Sequence, residues 1–210
     1  NAWWASAAGA LRELTDGVGA ERVEAVAPAG QMHGLVALDA DGRPVRPALL
    51  WNDQRTGAPV AAIEAAVPRA ELVRRTGNPA VTGFQLPKLL WIRDEEPEAF
   101  ARVRTVLFPK DWLSFRLTDR AVSEPSDATG SGCYALDGGD WDEELLRQLN
   151  VEAGPFPELV ASDAVMGEVT REAAEATGLR PGTPVVAGAG ATAAAATALA
   201  LGSAAPDLGS

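Results

Sequence analysis

The chain has 210 residues, 47% of them hydrophobic and 22% charged, a composition that suits one substantial globular core. Its net charge of −11 speaks against nucleic acid or an anionic membrane as partner, because both call for clustered Lys and Arg. No apolar run reaches the ~18 residues of a spanning helix, none has the form of a signal peptide, and a lone Cys133 with a lone His33 gives neither a disulfide nor a zinc cluster, so a cytoplasmic protein is expected.

Trp3, Trp4, Ala7, Ala8, Leu11 and Leu14 recur at three- and four-residue spacings and predict an amphipathic first helix, already under way at Asn1. "RVEAVAPAG" reads as a strand running into a glycine turn, and "LVALDADGRPVRPALLW" as a β-hairpin about its Asp, Gly and Pro. From Gly57 to Arg75 two helices are split by Pro68, and a second pair is split at Pro97. "RTVLF" predicts a strand, "KDWLSFRLT" and "DEELLRQL" helices, "VMGEVT" a strand, and "REAAEATG" a helix closed by Gly178. "TPVVAG" and an alanine-rich helix follow. Strands alternate with helices, so the predicted class is α/β.

Four segments offer chemistry. "GAGATA" satisfies G-x-G-x-x-G/A through Gly188, Gly190 and Ala193, between a predicted strand and helix. It lacks the second strand ending in an acid about 20 residues later; Asp207 stands in a turn-like tail. Tight helix packing and a dinucleotide-binding oxidoreductase both remain open from these residues alone. A Walker A loop is excluded, since no Gly is followed by Lys.

"GQMHGL" can present Gln31, Met32 and His33 from a tight loop, although a lone His in a strand connection is more often a satisfied structural residue; "LLWNDQR" delivers Trp51, Asn52, Asp53 and Arg55 to one strand end, either an aromatic face with hydrogen-bonding groups that suits a sugar or an aromatic plug with an exposed salt bridge. The small polar residues of "SEPSDATGSG" could wrap a ligand or simply form a turn, and taken alone the segment reads as a turn. The four acids of "GDWDEE" read as a solvated helix start.

Taken in order, "GQMHGLVALDADGRPVRPALLWNDQR", "GNPAVTGFQLPKLLWIRDEEPEAF", "VLFPKDWLSFRLT", "EPSDATGSG", "DWDEELL" and "PVVAGAGATAAAA" resemble the FGGY carbohydrate kinases, most closely their xylulokinase branch. The resemblance covers almost the whole chain. It implies an actin-like ATPase (ribonuclease H-like) fold of two domains, with sugar and Mg-ATP in the cleft between them and the γ-phosphoryl passing to a sugar hydroxyl. Residues 1–210 then correspond to the sugar-binding part of the first domain. The first strands, with an Asp that serves Mg-ATP, and the C-terminal ATP-binding domain are expected to be missing, so Mg-ATP is not expected to bind this chain well. The implied partner is a small-molecule sugar, and a homodimer is compatible with the family.

By the same resemblance, Met32 and His33 are the ketopentose contacts, Gln31 shapes their loop, Trp51 forms an aromatic wall and Asp53 hydrogen-bonds beside it. Family members read Gly-Asp-Asn after the Val-rich strand, the Asp serving as base and the Asn as a sugar contact. This chain reads Gly190, Ala191, Thr192, so no catalytic residue is intact and Thr192 takes the sugar-contact position. Two milder departures, Gln85 for Ser or Thr and Asp119 for Gly, are expected to be surface drift.

Overall fold

The computed structural model describes residues 2–199; Asn1 and residues 200–210, Asp207 among them, lie outside the described residues. Helix α1 (Ala2–Val18) follows the predicted period. Its Trp4 and Leu11 pack on an apolar core, and Trp3 meets Trp112 edge to face at 5.9 Å.

The strand predicted over 22–30 forms only in pieces. Val26 pairs in parallel with Val185, and β1 (Ala29–Gly30) resumes two residues beyond Ala27. Pro28 between them has no N–H to give the ladder. The hairpin is present: β2 (Val36–Leu38) turns at Asp39, whose carboxylate accepts the backbone N–H of Asp41 and Arg43 at 3.0 and 2.9 Å. The return limb pairs through Val45 to Ala37 and through Leu49 to Leu35.

Pro68 and Pro97 separate helices as predicted: α2 (Gly57–Ala66) from α3 (Arg69–Thr76), and α4 (Gln85–Glu95) from α5 (Pro97–Phe100). Helix α4 is the most buried of these. Leu86, Leu89, Leu90 and Ile92 enter the largest core, each contributing about 1.5–3 kcal/mol. Gln85 is also buried, its amide donating to the carbonyl of Gly34 at 3.3 Å. The expectation of surface drift at Gln85 is therefore wrong: this side chain is a core donor.

β3 (Thr105–Leu107) pairs antiparallel with β2. Helix α6 (Pro109–Thr118) ends on Asp119 at φ 56, a left-handed position, which accounts for a glycine preference there and for the tolerance of Asp. The predicted turn "SEPSDATGSG" starts on the last residue of β4 (Val122–Ser123) and holds a single helical turn, α7 (Pro125–Ala128). After the small hairpin of β5 (Tyr134–Ala135) and β6 (Asp140–Trp141) comes α8 (Glu143–Gln148). The solvated-acid reading of this helix start fails at Asp142. That side chain caps α8 through Leu145 N–H at 3.0 Å and forms a largely buried ion pair with Arg75.

β7 (Glu158–Leu159) pairs in parallel with β4. The chain then runs through β8 (Val165–Glu168), α9 (Arg171–Thr177, ended by Gly178), β9 (Pro184–Val186), β10 (Ala189–Gly190) and α10 (Ala191–Ala198). β8 and β9 are antiparallel, and α1 packs on α9. The architecture is α/β, and one pairing matters most for function. β1 and β10 lie parallel with Gly30 opposite Gly190, so the loop after each strand leaves the same end of the pair.

Candidate functional site

Two chain segments far apart in sequence meet at that strand end. Gly188, at φ 76, lies so close to Pro28 that a β-carbon would stand 1.9 Å from the Pro28 carbonyl oxygen. Only glycine allows this approach. A β-carbon on Gly190 would stand 2.8 Å from Met32 Cγ and 3.0 Å from Asp127 Oδ1. The glycine turn, the Gln31–Met32–His33 loop and α7 therefore converge on one point.

His33 is left-handed, at φ 67, which for a side-chain-bearing residue costs on the order of 1 kcal/mol. Three contacts hold it. Lys88 Nζ donates to the His33 carbonyl at 2.9 Å, the ring stacks on Phe84 at 4.8 Å between centroids, and Nδ1 lies 3.1 Å from the Gly130 carbonyl. A carbonyl only accepts, so Nδ1 carries the hydrogen, and in the neutral ring Nε2 is an acceptor. Nε2 has no protein hydrogen bond among the described residues.

Lys88 is wholly buried and also donates to the Gly83 carbonyl. Burial pushes its ammonium down to about 8, with the Asp53 carboxylate opposing the shift. Gly83 in turn packs on the Trp51 backbone, its virtual β-carbon 2.9 Å from the Trp51 carbonyl oxygen. Lys88 thus ties the histidine loop to the loop that carries Trp51 and Asp53. Trp51 is 57% exposed, a free aromatic face. Asp53 is bound by Arg55 Nε at 2.8 Å, a hydrogen bond that holds its carboxyl below the usual range. Arg55 also lies over Trp91, 4.7 Å from the ring centroid.

Beneath the glycine turn lies a buried charged cluster. Lys110 Nζ contacts Asp111 and stands 3.6 Å from both Glu124 and Asp127. One ammonium faces three carboxyls, all out of water. Burial alone would lower Lys110, but Asp111, Asp127 and Glu124 together raise it. Burial, with the neighbouring Asp111 charge, pushes Asp127 up to about 8. Burial raises Asp111 as well. Burial would do the same to Glu124, but Ser162, Lys110 and Ser126 outweigh it and its carboxyl is lowered. Among the described residues, neither oxygen of Asp127 has a hydrogen-bond partner.

The cluster grips the turn. Lys110 donates to Ala187 O at 3.2 Å, Gly188 N–H to Ser162 O at 3.0 Å, Ala189 N–H to Pro28 O at 3.3 Å, and Gly190 N–H to Ser126 Oγ at 3.0 Å. Those are the amides that would have to cradle a phosphate in a dinucleotide site, and protein acceptors already occupy them. Among the described residues no three His, Cys, Asp or Glu side chains are grouped to take a metal, and in the acidic cluster a lysine holds the centre.

Comparison with known proteins decides the family. The model of the N-terminal domain of the FGGY family of carbohydrate kinases matches residues 1–198. The chain belongs to the FGGY carbohydrate kinases.

Among its FGGY relatives, xylulose kinase of Escherichia coli is 38% identical over 188 residues, 90% of this chain and 38% of that protein. Xylulose kinase of Staphylococcus xylosus is 38% identical over 150 residues, 71% of this chain and 31% of that protein. The crystal structure of xylulose kinase from Rhodospirillum rubrum superposes with a TM-score of 0.85 at 32% identity, covering 90% of this chain and 40% of that one. The chain therefore spans less than half of the length of these relatives, and its fold is that of the FGGY sugar kinases, of the actin-like ATPase class.

In this FGGY chain the structure brings Met32 to Gly190 and ties His33 to Lys88, while Trp51 and Asp53 join through Gly83 and Lys88. Gln31 leaves β1 beside them. Ala191 and Thr192 open α10 on the exposed side of the turn. Sequence reasoning missed Lys88, Lys110, Glu124, Ser126 and Asp127. The signal available was charge inside apolar helix patterns, as in "LPKLLW" and "FPKDWL".

Proposed function

We propose that this chain is the sugar-binding part of a xylulokinase-type enzyme, which in complete form carries the phosphoryl group of Mg-ATP to D-xylulose in the cytoplasm, giving xylulose 5-phosphate for pentose metabolism. The observation that carries this reading is the convergence of Met32, His33 and the glycine turn, with Trp51 and Asp53 tied in through Lys88. His33 Nε2 supplies an acceptor and Asp53 a carboxylate for sugar hydroxyls, and Trp51 an apolar face for carbon-bound hydrogens.

The chain is inactive alone in this reading. Ala191 has no group that accepts a proton, and the Thr192 hydroxyl is far too weak a base; loss of a general base costs ~10²–10⁴ in rate, about 3–5 kcal/mol. Asp127 cannot stand in, since it is fully buried beneath Gly190. Isothermal titration of the 210-residue chain with D-xylulose tests the binding half. Saturable heat at millimolar sugar is expected, and its absence overturns the reading.

Ala191 also favours a second reading, a degenerate kinase homologue kept as a sugar-binding or interaction module. That module would still bind D-xylulose, and restoring a carboxylate at position 191 would bring back no phosphoryl transfer in a complete kinase.

A further inference from the structure

The residue after Gly190 can face a sugar only if the turn is fixed in direction as well as in shape. Its strand pairing ends at Gly190, and α10 begins at the next residue. What fixes the junction is a side chain. Ser126 Oγ accepts the Gly190 N–H at 3.0 Å and donates its own hydrogen to Glu124 Oε1 at 2.8 Å. Glu124 has no freedom to turn away. Its Oε2 accepts the Ser162 hydroxyl at 2.6 Å and the Ser126 N–H at 2.8 Å, its Oε1 accepts the Asp127 N–H at 3.0 Å, and Lys110 faces it at 3.6 Å.

A hydroxyl that donates to a carboxylate is a better acceptor, because the chain of hydrogen bonds polarises it. On the other side of Gly190, Asp127 Oδ1 and Met32 Cγ leave no space for a β-carbon. Gly190 is thus pinned by one hydrogen bond and two walls, and rotation of the Ala189–Gly190 peptide would break the bond to Ser126.

We propose that Ser126 is the positioning residue of this site: through its bridge from Gly190 N–H to Glu124 it sets the direction of residues 191 and 192 and, with them, the affinity for the ketose. This rests on the sugar-binding reading above. Ser126 touches no substrate and acts through Gly190. Its neighbours set a further requirement, that the bridge needs a hydroxyl, so threonine can replace serine and alanine cannot.

The test compares the chain with Ser126→Ala and Ser126→Thr by D-xylulose calorimetry, by thermal unfolding and by amide hydrogen exchange at Gly190 and Gly188. For Ser126→Ala, exchange at Gly190 accelerates tenfold or more, while Gly188, bound to the Ser162 carbonyl, keeps its protection. Affinity for D-xylulose falls about tenfold, and Ser126→Thr restores both. If Ser126→Ala binds D-xylulose like the parent, or Gly190 exchange is unmoved, the positioning role is overturned. If Gly188 and Gly190 lose protection together with a large drop in melting temperature, the residue is merely structural and the proposal also fails. A parent chain that binds no D-xylulose overturns the ketose reading instead, and the claim about affinity with it; Gly190 exchange then decides whether the bridge holds the turn.

Discussion

Gly190 rests on Asp127, with so little room that a β-carbon would come within 3.0 Å of the carboxyl oxygen. The contact joins the exposed start of α10 to a buried cluster in which three carboxyls share one lysine.

Substitution at the two turn glycines should therefore be ranked. Gly188→Ala forces a left-handed alanine whose methyl would overlap a backbone carbonyl, whereas Gly190→Ala presses only on side chains at an ordinary φ of −57. Gly190→Ala is expected to cost about 1–3 kcal/mol, the usual price of overpacking, and Gly188→Ala more. Urea unfolding of both variants measures the order.

Asp127 gives a pH signature. Its carboxyl titrates near 8 in the folded chain against an ordinary value of 3.8, so the folded state binds the extra proton between those limits. Stability from this group is greatest below pH 4, declines as pH rises and levels off above 8. Asp127→Asn keeps the shape and removes the titration. The variant should gain on the parent with rising pH, reaching about 1–2 kcal/mol by pH 8.5, as read from denaturant midpoints at pH 5, 7 and 8.5.

His33 separates strain from binding. Its φ of 67 suits glycine. His33→Gly should be more stable than His33→Ala by about 1 kcal/mol, yet both should lose D-xylulose binding, because neither has the ring nitrogen. Calorimetry and thermal unfolding on the pair check the two halves separately.

Lys88→Met removes a buried charge while leaving the His33 and Gly83 carbonyls without their donor. Two effects oppose each other in stability. The parent lysine is depressed to about 8, so its charge costs stability below that pH and the cost fades between 8 and 10.5. A net stability change within about 1 kcal/mol at pH 7 is expected, with D-xylulose affinity down at least tenfold as the histidine loop loosens. Unchanged affinity would show that Lys88 does not hold the loop.

Ala191→Asp addresses catalysis. Placed in a complete kinase, this substitution should raise the rate of D-xylulose phosphorylation at least tenfold, a floor set below the ~10²–10⁴ that a well-placed general base supplies. A coupled assay of ADP release checks it.

Much of the fold was legible because helix periods and prolines are local signals. Pro68 and Pro97 mark their helix breaks directly, and α1 follows from the spacing of its tryptophans and leucines. Strands were less legible because pairing partners are remote: nothing near "AVAPAG" says that Val26 will meet Val185 while Pro28 interrupts the ladder. In the site, Met32, His33 and Asp53 stood out through motif resemblance and polar character. The buried residues beneath them did not. Glu124 and Asp127 occupy a stretch of small polar residues that reads as a turn, and only the fold brings Lys110 to them. Gln85 was misread because polar character alone suggested the surface, whereas a single free carbonyl, Gly34 O, draws it inward.

The pairing of Gly30 with Gly190 also constrains how the protein is made. At a translation speed of about 5–20 residues per second, on the order of ten seconds or more separate the synthesis of the two glycines. Throughout that interval the nascent chain carries a histidine loop with no turn to face it, and the short β1 edge that Gly190 will pair stays open.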